Sequence, residues 1–297
     1  MTAATAIRRR GQAVIARWLF IGPAVLFVVT VVGYPIVEAI RMSLHRLDLT
    51  RGVERFVGFQ NYARAAADPD FWNAIRVTLL FTAASVVIEV VLGLLLAVLT
   101  HRELRGRAFF RTLFLLPMFV APVVVGVTWF WMYNVEFGVI NWAMLLAGLQ
   151  PQEWLGSARL SLPAIILIDV WQQTSTVFII LLAALQAIPQ EVYEAARVDG
   201  ASPWRQFRNI TLPFLRPAIG VVLTLRTMFA LRAFDVIFVT TRGGPGRVTE
   251  TISVYLYKVG FSQFNLGYSS ALSVILLALI LAFSLFYARA FRPAEGV

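Results

Sequence analysis

Long apolar blocks, separated by short charged segments, divide this chain of 297 residues. A helix needs about 20 apolar residues to cross the hydrocarbon core of a bilayer, and blocks of about that length recur six times. The pattern therefore predicts an all-α membrane protein with six transmembrane helices. The predicted spans cover residues 18–40, 73–100, 112–133, 160–187, 214–239 and 268–288.

The first and third spans each have a feature that bears on this prediction. The first follows a basic start, as a cleaved signal peptide would, but its apolar block exceeds the roughly 7–15 residues typical of such peptides, so we interpret it as a span. The third carries no charge but contains Pro117 and Pro122, which are expected to kink it.

Arginine is concentrated between alternate spans and at the two ends. Residues 1–17, 101–111, 188–216 and 289–297 contain 14 of the 26 lysine and arginine residues. Because cytoplasmic loops carry this excess, both termini are predicted to be cytoplasmic. The expected organisation is a single membrane domain over 18–290, between cytoplasmic tails at 1–17 and 291–297. Since the arginines are dispersed among loops, the net charge of +10 does not indicate nucleic-acid binding.

The charged segment 188–217 predicts two short helices with a sharp turn between them. Pro189 suits a first helical turn, and Gly200 can take the left-handed conformation that closes a helix. Ser202 can cap the second helix, with Pro203 just inside it.

The first of these helices has a face of small residues. Val192, Ala195 and Ala196 share one side at spacings i, i+3 and i+4. Acidic residues surround that face, namely Glu191, Glu194 and Asp199. Such a helix suits insertion into a groove on a partner, although a solvated loop between two spans is the simpler alternative.

The spacing of this segment resembles a known family. Glu194-Ala195-Ala196, Gly200, Ile210 and Leu212-Pro213 fit the pattern E-A-A-x3-G-x9-I-x-L-P of the membrane subunits of bacterial binding-protein-dependent ABC importers. Asp199-Gly200-Ala201 completes the form usual among carbohydrate permeases. The resemblance implies that this is the cytoplasmic coupling helix that docks onto the ATPase. The residues implied to couple are Glu194, Ala195, Ala196, Asp199, Gly200 and Ala201.

Four loop motifs extend the resemblance. They are G-F-Q-N-Y at 58–62, D-P-D-F-W at 68–72, F-G-V-I-N at 137–141 and G-G-P at 243–245. They resemble the maltose-F or glycerol-phosphate-A half of carbohydrate importers. This implies the type I ABC importer permease fold and a disaccharide or oligosaccharide substrate, with trehalose the expectation from overall resemblance.

The resemblance also implies a location in the bacterial inner membrane, and partners. It implies a second, homologous permease, an ABC ATPase dimer that holds ATP and Mg²⁺, and an extracytoplasmic substrate-binding protein. The chain itself is expected to bind no cofactor. Its single lysine, Lys258, lies in YLYKVGF, which is not a Walker A loop.

Two spans carry polar stripes. The second has Thr78, Thr82, Ser85 and Glu89 on one helical face, and the fourth has Asp169, Gln172, Gln173 and Thr176. Polar groups in a bilayer face a cavity or one another, and amides and carboxylates suit sugar hydroxyls. Trp171 lies next to the stripe on the fourth span and suits either stacking on a sugar ring or packing against other side chains.

The fifth span places Arg226, Phe229, Ala230 and Ala233 on one face. Arg226 has no partner in its own helix, so Glu89 or Asp169 is the expected one. On the opposite face, the spacing of Arg232 and Asp235 predicts an ion pair.

The resemblance also implies a role for these faces in binding substrate. Aligned without gaps, the family's maltose permease has substrate contacts at the positions of Arg226, Phe229, Ala230 and Ala233, and near Gln173 and Thr176. Of these positions, only Phe229 has the same type of side chain, an aromatic one, as the maltose permease. The predicted substrate pathway comprises Glu89, Asp169, Gln172, Gln173, Thr176, Arg226, Phe229, Ala230 and Ala233.

Alternatives remain open at this stage. Any one of these polar residues equally suits holding helices together. An intramembrane enzyme has little support, because the chain has no cysteine and its two histidines, His45 and His101, lie on opposite predicted sides of the membrane. A non-transporting scaffold would not need polar faces on three spans, and a channel would not need the coupling pattern.

Overall fold

The computed structural model describes residues 20–48, 52–101 and 106–291. The predicted tails therefore lie outside the described residues, apart from Phe291. The helices are α1 (Phe20–Ser43), α2 (Gln60–Ala67), α3 (Pro69–His101), α4 (Arg107–Leu115), α5 (Pro122–Met132), α6 (Val139–Leu146), α7 (Ser161–Gln186), α8 (Gln190–Val198), α9 (Pro203–Gln206), α10 (Leu212–Leu231), α11 (Asp235–Thr240), α12 (Ile252–Tyr257) and α13 (Leu266–Ala290). An antiparallel hairpin joins β1 (His45–Asp48) to β2 (Val53–Phe56), with His45 opposite Phe56.

The chain forms two compact units. The first contains the described part of Met1–Ala65 together with Val259–Val274. Within it, Asn61 Nδ2 donates to the carbonyls of Ser43 and His45, at 2.8 and 3.0 Å. Gly267 lies against the same strand, and a Cβ there would be 2.1 Å from the His45 carbonyl oxygen. The Asn61 motif thus holds the strand in place, and glycine permits the close backbone approach.

The second unit contains Ala66–Lys258 and the described residues from Ile275 onward. Its core lies where α3 packs on α7. A Cβ at Gly93 would be 2.5 Å from Val177 Cγ1, so the absence of a side chain lets these two helices approach closely. Phe178 and Leu181 on α7 and Leu215 on α10 are fully buried in this core.

Four helices are long and apolar enough to cross a membrane: α1, α3, α7 and α13. They correspond to the first, second, fourth and sixth predicted spans. The third predicted span is a broken one, since the segment Arg107–Phe119 meets α5 at an angle of 99°. Val120 is extended there, and Pro122 begins α5, so the expectation of a kink at the prolines is confirmed.

The fifth predicted span, 214–239, is wrong as a single helix. Helix α10 ends at Leu231, and Arg232 and Phe234 leave helical geometry before α11 begins at Asp235. The apolar pattern alone suggested a continuous helix, but the charged side chains of Arg232 and Asp235 are exposed at this break. The described residues therefore contain four spanning helices, or five if the bent pair counts as one span.

Candidate functional site

A buried cluster of three charges joins α3, α7 and α10. Arg226 Nε lies 2.6 Å from Glu89 Oε2, and its Nη2 lies 2.9 Å from Glu89 Oε1. The same Nη2 lies 3.0 Å from Asp169 Oδ2. The side chains of Arg226, Glu89 and Asp169 are 3%, 0% and 14% exposed. The prediction that Glu89 or Asp169 pairs with Arg226 is confirmed, and both do so.

This cluster offsets the large desolvation penalty of three buried charges. The Arg226–Glu89 contact is bidentate, and such paired, charge-assisted hydrogen bonds are among the strongest in proteins. Removing one member would leave a charge buried without its partner, which costs far more than the pair itself contributes. The cluster therefore fixes the relative positions of the three helices at this level.

The polar stripe on α3 is buried against the rest of the protein. Thr78, Thr82, Ser85 and Glu89 are all buried. Thr78 Oγ1 accepts a hydrogen bond from the Ile252 amide at 2.8 Å and donates to the Ala74 carbonyl at 2.7 Å. The α3 stripe thus acts in helix packing and in holding Arg226.

A cavity of about 580 Å³ opens beside the charge cluster, within the second unit. Seven of the nine residues predicted to form a substrate pathway line it: Asp169, Gln172, Gln173, Thr176, Arg226, Phe229 and Ala233. The other two, Glu89 and Ala230, are buried and do not line it. The two polar faces predicted on α7 and α10 therefore do meet at one cavity.

The predicted Arg232–Asp235 ion pair is wrong. Both residues are described, and no salt bridge joins them; the break after α10 removes the helical i, i+3 geometry on which the prediction relied. Instead, the Arg232 guanidinium lies over the Phe229 ring, 4.6 Å from its centroid. Both Arg232 and Asp235 line the cavity, a role that the helical pattern did not indicate.

Two polar or aromatic residues of α7 have positions that the sequence left undecided. Gln172 Nε2 donates to the Val120 carbonyl at 2.8 Å, so it satisfies a backbone acceptor freed at the bend before α5. Trp171 faces a separate, largely apolar cavity and packs edge-on to Trp129 at 5.7 Å. Trp171 therefore does not line the polar cavity.

The segment predicted to dock onto a partner contains two short helices, α8 and α9, and residues 190–206 are called the docking segment below. Gly200 has φ +74°, as expected for the residue that closes α8. The Ala201 amide donates to the Ala196 carbonyl at 2.8 Å, and the Gly200 amide to the Arg197 carbonyl at 3.1 Å. These two bonds form a Schellman motif, which terminates a helix with a left-handed residue.

The predicted starts of α8 and α9 are correct to within one residue. Ser202 Oγ accepts from the Arg205 amide at 3.4 Å, and Pro203 lies in the first turn of α9, as predicted. Pro189 is extended and precedes α8, which begins at Gln190, so the prediction that Pro189 lies in the first helical turn is wrong by one position.

The docking segment is exposed. No residue of α8 is buried, and Val198 and Trp204 are 88% and 69% exposed. Ala195, on the predicted small face, is exposed, whereas Ala196 is half-buried. An exposed apolar surface on such a short charged segment is typical of a contact with another protein.

One continuous helical run connects the docking segment to the cavity. It passes from α9 through a π-helical turn at Phe207–Thr211 into α10, which carries Arg226 and Phe229. Tyr193 Oη on α8 lies 3.0 Å from Thr211 Oγ1 at that turn. The two short helices and the cavity wall are therefore linked through consecutive helical segments.

The loop motifs form a further polar cluster that sequence reasoning did not anticipate. Tyr255 Oη donates to Asp68 Oδ2 at 2.5 Å, Asp70 pairs with Arg247, and Glu250 Oε1 lies 2.5 Å from Lys258 Nζ. The D-P-D-F-W motif and the segment after G-G-P thus meet in the second unit. With six spans and both termini predicted in the cytoplasm, these two segments fall on the opposite side of the membrane.

Comparison with known proteins relates this chain to membrane components of transport systems. Residues 89–293 match the family described as "Binding-protein-dependent transport system inner membrane component". The chain is 40% identical over 279 residues to the trehalose/maltose transport system permease protein MalF of Thermococcus litoralis, covering 93% of each chain. It is 36% identical over 302 residues to the trehalose transport system permease protein SugA of Mycobacterium tuberculosis, covering 99% of this chain and 95% of the relative.

The fold is also similar to a solved structure. The crystal structure of a bacterial ABC transporter involved in the import of the acidic polysaccharide alginate contains a chain that matches with a TM-score of 0.84 at 24% identity. The match covers 97% of this chain and 100% of that one.

Proposed function

Because the chain belongs to the family of inner-membrane components of binding-protein-dependent transport systems, we propose that it is one permease subunit of an ATP-driven carbohydrate importer. The observation that carries the proposal is the convergence of seven predicted residues on one cavity of about 580 Å³. Ligand sites of about 300–1,000 Å³ hold small molecules, so a disaccharide or short oligosaccharide is a suitable substrate.

The chemistry of the wall supports a sugar. Gln173 and Thr176 offer an amide and a hydroxyl, and Asp169 offers a carboxylate that can accept from sugar hydroxyls. Phe229 offers an aromatic face for the apolar side of a ring. The names of MalF and SugA support trehalose or maltose as the substrates to test first.

We further infer a type I importer permease with six membrane crossings and both termini in the cytoplasm of a bacterium. Four crossings are the long helices; α4 with α5, and α10 with α11, each serve as one broken crossing. Broken helices are tolerated in membranes where the freed backbone lines a cavity, and both breaks adjoin the proposed substrate cavity at Pro122 and Arg232.

The proposed assembly needs other chains. A second, homologous permease completes the pathway, an ATPase dimer binds ATP and Mg²⁺, and an extracytoplasmic protein delivers the sugar. In this proposal the chain holds no cofactor and carries out no covalent chemistry. The ATPase contacts Glu194, Ala195, Ala196, Asp199, Gly200 and Ala201.

Transport then follows alternating access. Closure of the ATPase dimer moves α8 and α9, and the helical run through Thr211 carries that movement into α10. Because Arg226 is tied to Glu89 and Asp169, α10 moves together with α3 and α7 at the level of the cavity. Rigid movement of packed helices around a fixed site is the expected form of such a change.

Mild-detergent affinity purification of this chain from its own cells, followed by reconstitution into vesicles, tests the proposal. A P-loop ATPase and a second permease are expected in the purified complex, together with ATP-dependent uptake of labelled trehalose or maltose when the binding protein is added. A homogeneous oligomer of this chain alone, without ATPase or uptake, would favour a membrane scaffold instead.

A further inference from the structure

The charges that line the cavity balance one another. Among the lining residues the cations are Arg226 and Arg232, and the anions are Asp169 and Asp235. Directly behind the wall, the carboxylate of Glu89 contacts Arg226. The lining residues are therefore formally neutral as a set.

Arg226 cannot act as a free cation toward a ligand. A guanidinium has five N–H bonds, and three of those on Arg226 point to carboxylates: one from Nε and two from Nη2. The two on Nη1 have no acceptor among the described residues. These two N–H groups can donate to an uncharged oxygen of a ligand. An anionic ligand at Nη1 would instead be repelled by the carboxyl groups of Glu89 and Asp169, which already contact the same guanidinium.

Arg232 is the remaining cation of the wall. It is exposed, lies over the face of Phe229, and shares the wall with Asp235. A guanidinium that lies flat on an aromatic ring has its N–H groups free at the edge, where they can donate to hydroxyl oxygens. The negative charge of Asp235 balances the positive charge of Arg232 in the sum over the cavity lining. The fold alone does not decide the charge of the substrate, since the similar alginate transporter imports an acidic polysaccharide.

We propose that the Glu89–Arg226–Asp169 cluster makes this cavity selective for uncharged carbohydrates and against anionic ones. Glu89 acts as a positioning residue, because its two side-chain oxygens accept from Arg226 and so orient the guanidinium from outside the cavity. Asp169 acts on the cavity wall, where its carboxylate repels an incoming anion and accepts from a hydroxyl. This inference rests on the proposed function and specifies the class of sugar that the same site takes.

The test uses the purified complex of this chain with its partner permease and ATPase, without the substrate-binding protein, because that protein would add its own selection. Saturation-transfer NMR measures the binding of two matched pairs: trehalose against trehalose 6-phosphate, and maltose against maltobionate. We expect the wild-type complex to bind each neutral sugar at least about tenfold more tightly than its anionic partner. Equal or tighter binding of the anionic sugars would overturn the inference.

Two variants locate the source of the preference. Asp169→Asn removes one charge from the wall with little change of shape and should reduce the preference by about tenfold. Asp70→Asn is the matched control, since it removes an exposed carboxylate in the same unit that does not line the cavity, and the preference should not change. A preference that is unaffected by Asp169→Asn would contradict the role of the cluster.

A third variant acts in the opposite direction. Gln173→Glu adds a negative charge to the wall without touching the buried cluster, so it stays informative even where Asp169→Asn disturbs assembly. It should increase the preference for the neutral sugars, and an unchanged or smaller preference would count against the inference. Failure of the wild-type complex to bind any of the four sugars would instead contradict the proposed function.

Discussion

The cavity wall and the docking segment are built in opposite ways. The wall depends on contacts between helices that are far apart in sequence, with Arg226 bound to residues 137 and 57 positions away. The docking segment depends on contacts within a few residues, at Gly200 and at Ser202. We therefore expect changes in the Arg226 charge cluster to weaken the fold, and changes in the docking segment to weaken coupling while the fold persists.

The largest effect is expected from Arg226→Ala. The change leaves Glu89 fully buried with no cation beside it, and breaking a buried pair from one side costs about 3–5 kcal/mol. The variant should fail to accumulate, or should melt at a much lower temperature in detergent, as followed by size-exclusion chromatography after heating.

The matched control is the double variant Glu89→Gln with Arg226→Gln. It removes both charges of the pair, so it should recover a large part of the lost stability. If Arg226→Ala alone melts at the temperature of the wild type, the cluster does not hold the three helices together.

The next effect is expected from Gly200→Val, and it concerns coupling. Val at φ +74° is strained by about 1–2 kcal/mol, although a Cβ there meets no atom within 4 Å. The turn between α8 and α9 should shift, so that ATP-driven uptake falls by about tenfold or more while the complex still purifies and the melting temperature changes little.

Gly148→Val is a matched control for backbone strain. Gly148 also has φ +74° and open space around it, but it lies outside the docking segment. The same substitution there should leave the ratio of uptake to ATP hydrolysis unchanged. Equal losses of coupling in both variants would show that strain in general, rather than the docking turn, is responsible.

A smaller effect is expected from Ser202→Ala. The change removes the oxygen that accepts from the Arg205 amide, and loss of such a cap costs about 1 kcal/mol. Uptake should fall a few-fold, and Ser202→Asp, which restores an acceptor, should recover it. Full activity of Ser202→Ala would mean that the ATPase contact itself orders the start of α9.

The smallest effect is expected from Arg232→Gln and Asp235→Asn. Because these two side chains form no ion pair, their effects on the free energy of unfolding should be additive within about 0.5 kcal/mol in a double-mutant cycle. A coupling energy well above that value would show that the two side chains do pair in the assembled protein.

The comparison of the two regions also explains which predictions were correct. In the docking segment, Gly200 and Ser202 act through neighbours within five residues, so their turn and cap could be predicted from the sequence, and only the start of α8 was one residue off. On α7, helical periodicity correctly placed Asp169, Gln172, Gln173 and Thr176 on one face. Helix geometry is a local property, and the sequence expresses it directly.

The sequence by itself thus determined four of the apolar spans, the kinked third segment, the exposed turn at Gly200 and the composition of each polar face. Only the tertiary structure decided that Arg226 binds both Glu89 and Asp169, that Glu89 lies behind the wall rather than on it, and that α10 ends at Leu231. The reason is physical: periodicity fixes the direction of a side chain from its own helix, whereas the partner of a buried charge depends on how separate helices pack.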